Sequence, residues 1–155
     1  MKCVLSYLKN MEKTMFTQKN DSMQVNEVMM SLNRVPVIGK KVILKEALEA
    51  MGRSRLGIAC IVDDDIKLLG VLTDGDLRRN LLTIQKPFSA FFVDDAIAHA
   101  IISPTTVKPN ATLKEAVDLM GEMQIWDLPV VDDQGTLVGL LHLHPAVQAL
   151  LGLPN

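Results

Sequence analysis

Aromatic residues make up only 4% of this 155-residue chain, and cysteine occurs just twice, as Cys3 and Cys60. Two thiols build no disulfide framework, and Cys60 lies inside the apolar run Ile58-Ala59-Cys60-Ile61-Val62. A buried free thiol in a reducing compartment is the expected state. No apolar run approaches the ~18 residues that a membrane span needs. The start, Met1 to Lys9, has too short an apolar stretch for a signal peptide, so the cytoplasm is the expected location. Excess positive charge is missing too: a formal net charge of −2 argues against nucleic-acid binding through a basic surface. Neither a nucleophilic triad nor a dinucleotide-binding glycine loop occurs. Membrane-spanning, nucleic-acid-binding and disulfide-scaffold classes are all disfavoured.

What the chain does contain is itself, twice. Leu44-Lys45-Glu46-Ala47-Leu48-Glu49-Ala50-Met51-Gly52 returns 69 positions later as Leu113-Lys114-Glu115-Ala116-Val117-Asp118-Leu119-Met120-Gly121. The same offset sets Val62-Asp63-Asp64 on Val131-Asp132-Asp133, and Gly70 on Gly139. Between Leu44 and Gly70, 11 of 27 positions are identical. A period near 70 residues is too long for a helical solenoid and too short for two independent domains. Two half-domains that share one core are therefore expected, at 48% hydrophobic and 22% charged residues.

Each copy reads as helix, strand, strand, helix, with an extended lead-in at Val35–Val37 or Thr105–Val107. Leu44, Ala47, Leu48 and Met51 have helical spacing, as do Leu113, Ala116, Val117 and Met120. Thr112 and Glu115 form a capping box for the second copy, where the first has Ile43. Gly52 and Gly121 are read as left-handed helix ends. Aliphatic runs at Ile58–Val62 and Leu68–Leu72, and at Leu128–Val131 and Leu137–Leu141, read as hairpins turning at Asp63-Asp64-Asp65 and Asp132-Asp133-Gln134-Gly135. Second helices begin near Asp76 and near Pro145. The fold class is thus α+β, with residues 1–22 as an N-terminal extension or linker, motif 1 over 23–90 and motif 2 over 91–155. In the extension, Val4, Leu5, Leu8, Met11 and Met15 read either as a short docking helix or as a weakly ordered segment.

Chemistry concentrates where the second strand of the first copy opens into a helix: Gly70-Val71-Leu72-Thr73-Asp74-Gly75-Asp76-Leu77-Arg78-Arg79. Free N–H groups at a helix N-terminus attract phosphate. A carboxylate three residues after the threonine can accept the two hydroxyls of a ribose diol, and Arg78 and Arg79 can meet a phosphate. Thr73 and Asp76 also fit a plain capping box, and the arginines a solvated helix face.

The doubled unit, with Gly-h-h-Thr-x-x-Asp closing its second strand (h aliphatic), resembles a tandem pair of CBS motifs, a Bateman module, over about Val25 to Leu151. That resemblance implies a regulatory, ligand-sensing module in which Thr73 and Asp76 contact the phosphate and ribose of AMP, ADP or ATP, with homodimerisation through helical faces. Thr73-Asp74-Gly75-Asp76-Leu77-Arg78-Arg79 together with His142-Leu143-His144 is similar to the C-terminal CBS pair of arabinose 5-phosphate isomerases, enzymes of lipopolysaccharide synthesis. This narrower likeness implies a partner sugar-isomerase domain and cytidine-linked Kdo (CMP-Kdo) as a feedback ligand. CBS modules of sugar-nucleotidyltransferases share the first string, and a dimerisation scaffold without ligand is the third alternative.

Two departures qualify the resemblance. The catalytic half of that family, a domain of roughly 200 residues, does not fit N-terminal to Val25, so no catalytic residue is assigned and these residues are not expected to isomerise anything. In the second copy, His142 stands where the first has Thr73, and Pro145 where it has Asp76. Proline suits a first helical turn but accepts nothing from a ribose. His142 is read as a phosphate or carboxylate contact or as structural, and with His144 on one strand face it raises a metal reading that is set aside for want of a third ligand. Trp126 either stacks on a base or packs. The acidic turn at Asp63 is read as solvated, and Met29, Met30, Met51, Met120 and Met123 as core fillers.

Overall fold

Leu44, Ala47 and Met51 fall on one face of a 3.6-residue helix, as do Leu113, Ala116 and Met120, and all six are buried. In the computed structural model, which describes residues 22–153, these faces belong to α1 (Leu44–Ser54) and α4 (Leu113–Met123). The N-terminal apolar residues Val4 to Met15 lie outside the described residues. Thr112 caps α4 as its spacing predicts: the Glu115 amide donates to Thr112 Oγ1 at 3.2 Å while Thr112 Oγ1 donates to Glu115 Oε2 at 2.7 Å. These bonds hold the Glu115 carboxyl below its ordinary range. Ile43 gives α1 no side-chain cap.

The helix ends depart from expectation. Gly52 and Gly121 lie inside their helices, and the left-handed residues are Arg55 (φ 54°) and Gln124 (φ 53°). Each helix runs two residues beyond its glycine, and the amides of Arg55 and Gln124 close the two helices by donating to Gly52 O and Gly121 O, each at 3.3 Å. Methionine also divides: Met51 and Met120 are buried, but Met123 is exposed on the last turn of α4.

Each motif then makes one antiparallel hairpin. β2 (Ile58–Val62) pairs with β3 (Leu68–Thr73), and β5 (Asp127–Val131) with β6 (Leu137–His142), both with a register shift before the turn. Asp63 Oδ1 accepts the amides of Asp65 and Lys67, each at 2.9 Å, and Asp132 Oδ1 those of Gln134 and Thr136. These carboxylates therefore build their turns rather than only facing water. β1 (Val37–Gly39) lies parallel to β2, and Val107 bridges Val130 in the equivalent place. The second helices start at Asp74 and Leu143, as α2 (Asp74–Thr83) and α5 (Leu143–Leu150), two residues earlier than expected. A short α3 (Phe88–Phe92) follows α2.

The lead-in of each motif crosses to the other one. β4 (Ile101–Ile102), in the lead-in of motif 2, adds to β3 of motif 1, while Met30, in the lead-in of motif 1, bridges Leu140 of β6. Val25 is fully buried among the side chains of motif 2, and Ala96 among those of motif 1. A glycine admits each crossing. A Cβ on Gly70 would lie 2.7 Å from the Ile101 carbonyl oxygen, and one on Gly139 would lie 2.6 Å from Met29 Sδ and 2.9 Å from the Met30 carbonyl oxygen. Between the hairpins, Ile58, Cys60, Val62 and Val71 meet Val131, Leu137 and Leu140 in a third apolar cluster. Neither motif could cover its sheet alone, which makes the pair the folding unit.

Candidate ligand site at the start of the second helix

Thr73 ends β3 in an extended conformation and α2 begins at once, so its side chain lies over the free amides of the first turn. The Asp76 amide donates to Thr73 Oγ1 at 3.2 Å. In return Asp76 Oδ2 accepts from the Thr73 amide at 3.1 Å and from Thr73 Oγ1 at 2.6 Å. Asp76 Oδ1 accepts from Arg79 Nη2, in an ion pair three residues apart. Asp76 is only 7% exposed, so this network anchors a guanidinium that is itself open to solvent. Gly75 makes room for it: a Cβ there would stand 3.3 Å from Arg79 Nη1. The capping box and the cationic site are thus one structure. Arg78 is exposed on the same helix.

Asp74 belongs to different surroundings. Its amide donates to the Gly57 carbonyl at 3.0 Å, and its carboxylate borders a cavity of about 310 Å³ with Leu48, Met51, Gly52, Arg55, Leu56 and Gly57. Thr73, Asp76, Arg78 and Arg79 do not line that cavity.

In motif 2 the equivalent place is built differently. His142 ends β6, and its Nδ1 lies 2.8 Å from Asp127 Oδ1 on the paired strand. Burial raises the Asp127 carboxyl above its ordinary value, and the hydrogen bond and charge of His142 oppose that rise. His144 falls in α5 rather than on a strand, so the two histidines share no strand face. Pro145 takes the third position of α5, where its missing N–H leaves no bond unmade. Trp126 is 70% exposed. Among the described residues, no three His, Cys, Asp or Glu side chains gather into a group that could hold a metal ion.

Two polar contacts escaped the sequence reading. Asp127 becomes visible only once the hairpin register sets it opposite His142. His99, buried under Phe91 at a ring separation of 4.5 Å, bonds Asp94 through Nε2 at 2.8 Å. Lys86 and His99 together hold the Asp94 carboxyl below its ordinary range. No local motif announces either contact.

Fold and site define a two-motif module with internal two-fold symmetry and one polar helix N-terminus that its twin lacks. The sequence model of the CBS domain matches the chain twice, over residues 25–83 and 95–144, and the chain belongs to the CBS-domain family as a tandem pair. It is 31% identical over 127 residues to arabinose 5-phosphate isomerase KdsD of Escherichia coli K12, and 35% identical over 143 residues to an uncharacterized protein of Helicobacter pylori J99. These matches cover 82% and 91% of this chain but only 37% and 39% of those proteins, so the chain spans less than two fifths of their length. Among solved structures, CBSX2 in complex with AMP superposes with a TM-score of 0.74 at 28% identity, over 84% of this chain and 97% of that one. CBSX2 is a CBS-pair protein from Arabidopsis thaliana.

Proposed function

We propose that this CBS pair is a regulatory module that binds an adenine nucleotide at the N-terminus of α2. Asp76 takes the ribose hydroxyls, while Thr73, Arg78 and Arg79 take the phosphate, assisted by the free amides of the helix. The observation that carries this reading is the Thr73–Asp76–Arg79 network, which holds a guanidinium over a helix N-terminus in motif 1 and has no counterpart at His142, Pro145 and Gln148. The AMP complex of CBSX2 supports the choice of an adenine nucleotide over CMP-Kdo. The likeness to KdsD supports a second level of the proposal, in which the pair regulates a sugar-isomerase domain in the same or a partner chain.

Thermal shift with AMP, ADP, ATP and CMP-Kdo tests the site. Saturation at 100 times Kd adds about 2.7 kcal/mol to the folded state. Arg79→Ala is expected to abolish the AMP shift, and Asp76→Ala to abolish it from a lowered baseline. Thr112→Ala removes the capping box of α4, in the other motif, and is expected to lower the melting temperature while keeping the shift. If none of the four compounds moves the transition, the module is a scaffold and the nucleotide site is refuted.

A further inference from the structure

The group assigned above to the ribose and two of those assigned to the phosphate are already bonded to one another. The single hydroxyl proton of Thr73 goes to Asp76 Oδ2 at 2.6 Å, while its oxygen accepts the Asp76 amide at 3.2 Å. Asp76 Oδ2 also accepts the Thr73 amide at 3.1 Å, and Asp76 Oδ1 accepts from Arg79 Nη2. A carboxylate has about four acceptor positions. Here Oδ2 has filled both of its own and Oδ1 one of its two, so a single position is left on a buried group. A ribose diol donates two bonds. Asp76 holds such a diol only after a bond inside the network is given up.

The bonds differ in what their loss costs. Those to Thr73 cap α2, and breaking them frays the start of the helix. The Arg79 side chain is 64% exposed on a long stem, so its bond to Oδ1 is the one a ligand reaches from solvent. A guanidinium drawn off a buried carboxylate needs another anion in exchange. A neutral nucleoside offers none, whereas a phosphate offers two parallel acceptors in the geometry of the guanidinium fork.

We propose that Arg79 makes the α2 site selective for phosphorylated ligands by an exchange: phosphate draws the guanidinium off Asp76, and the ribose diol takes the oxygen it vacates. This rests on the nucleotide reading of the site and adds that phosphate and ribose are recognised together. A nucleoside without phosphate meets a carboxylate that is still blocked. A phosphate without ribose leaves Asp76 buried with its cation gone. Motif 2, with Pro145 and Gln148 at the equivalent positions, has no such exchange to make.

Ligand-observed NMR titrations of the full chain test the exchange, using AMP, adenosine, and adenosine with inorganic phosphate, against sodium chloride at matched ionic strength. The parent chain is expected to bind AMP about 100-fold more tightly than adenosine, the scale of two hydrogen bonds between charged groups. Added phosphate should tighten adenosine about tenfold, the scale of one such bond. In Arg79→Ala, a change at an exposed helix position, adenosine should gain about tenfold without phosphate and no longer respond to it. AMP should fall to the level of adenosine in that variant, too weak to move the melting temperature. Equal adenosine affinity in parent and variant, or an adenosine affinity in the parent that ignores phosphate while AMP still binds, overturns the exchange and leaves the nucleotide reading standing. Failure of AMP to bind the parent chain refutes the nucleotide reading itself, and the exchange with it.

Discussion

His142 Nδ1 and Asp127 Oδ1 lie 2.8 Å apart across the last residue pair of β5 and β6, where motif 1 sets Thr73 opposite Ile58. The substitution of His142 for Thr73 is therefore half of a double change. A polar partner replaced an aliphatic one on the neighbouring strand, and the new pair satisfies itself inside motif 2.

Asp127 makes stability depend on pH. Its carboxyl is raised in the folded chain, first by burial, so its contribution is fully present below the unfolded value and lost as pH rises through the folded one. Asp127→Asn is expected to be more stable than the parent at neutral pH. That advantage should shrink on acidification through the window just above the ordinary carboxylate range. Urea midpoints of both proteins across that window check it; a constant gap would refute the assignment.

Gly139 tests the crossing of the chain between motifs. Alanine there would bring a Cβ to 2.9 Å from the Met30 carbonyl, a backbone atom that cannot step aside alone. Gly139→Ala should destabilise the chain by about 1–3 kcal/mol, the usual range for overpacking. Gly70→Ala, facing the Ile101 carbonyl, should do the same. Denaturant titration of both variants gives the answer.

Ile66 occupies the left-handed region at φ 60°, where its counterpart Gly135 sits at φ 81°. A β-branched residue there is strained by about 1–2 kcal/mol. Ile66→Gly should raise the unfolding free energy by roughly 0.5–1 kcal/mol after the added unfolded-state entropy is counted. Differential scanning calorimetry would show a higher melting temperature, and a lower one would count against the strain.

Cys60 is sealed between the two hairpins, and its thiol is pushed up to about 12 by burial and then by the charge of Asp127. In a Cys3→Ser background, a disulfide reagent at pH 8 should leave the folded chain unmodified and titrate one thiol after denaturation. Rapid labelling of the native protein would show that the interface between the hairpins opens.

Much of this was legible from local pattern. The spacing of Leu44, Ala47 and Met51 marks a helix whatever surrounds it, and Thr112 with Glu115 marks a cap, because both rest on contacts three or four residues apart. Gly52 and Gly121 misled for the same reason: a glycine near a helix end is a local cue, and the left-handed turn falls three residues later, at Arg55 and Gln124. The Thr73–Asp76 box could be read, but the return of Arg79 over Gly75 could not.

The repeat by itself determined that the chain is two like α+β motifs, and it located the one helix start equipped with threonine, aspartate and arginine. Only the tertiary structure decided that Val25 and Met30 belong with motif 2, that Ile101 and Ile102 belong with motif 1, and that His142 answers to Asp127. Those outcomes rest on contacts between residues far apart in sequence, whose partners are chosen by which apolar faces and unpaired strand edges remain to be covered once each hairpin has formed.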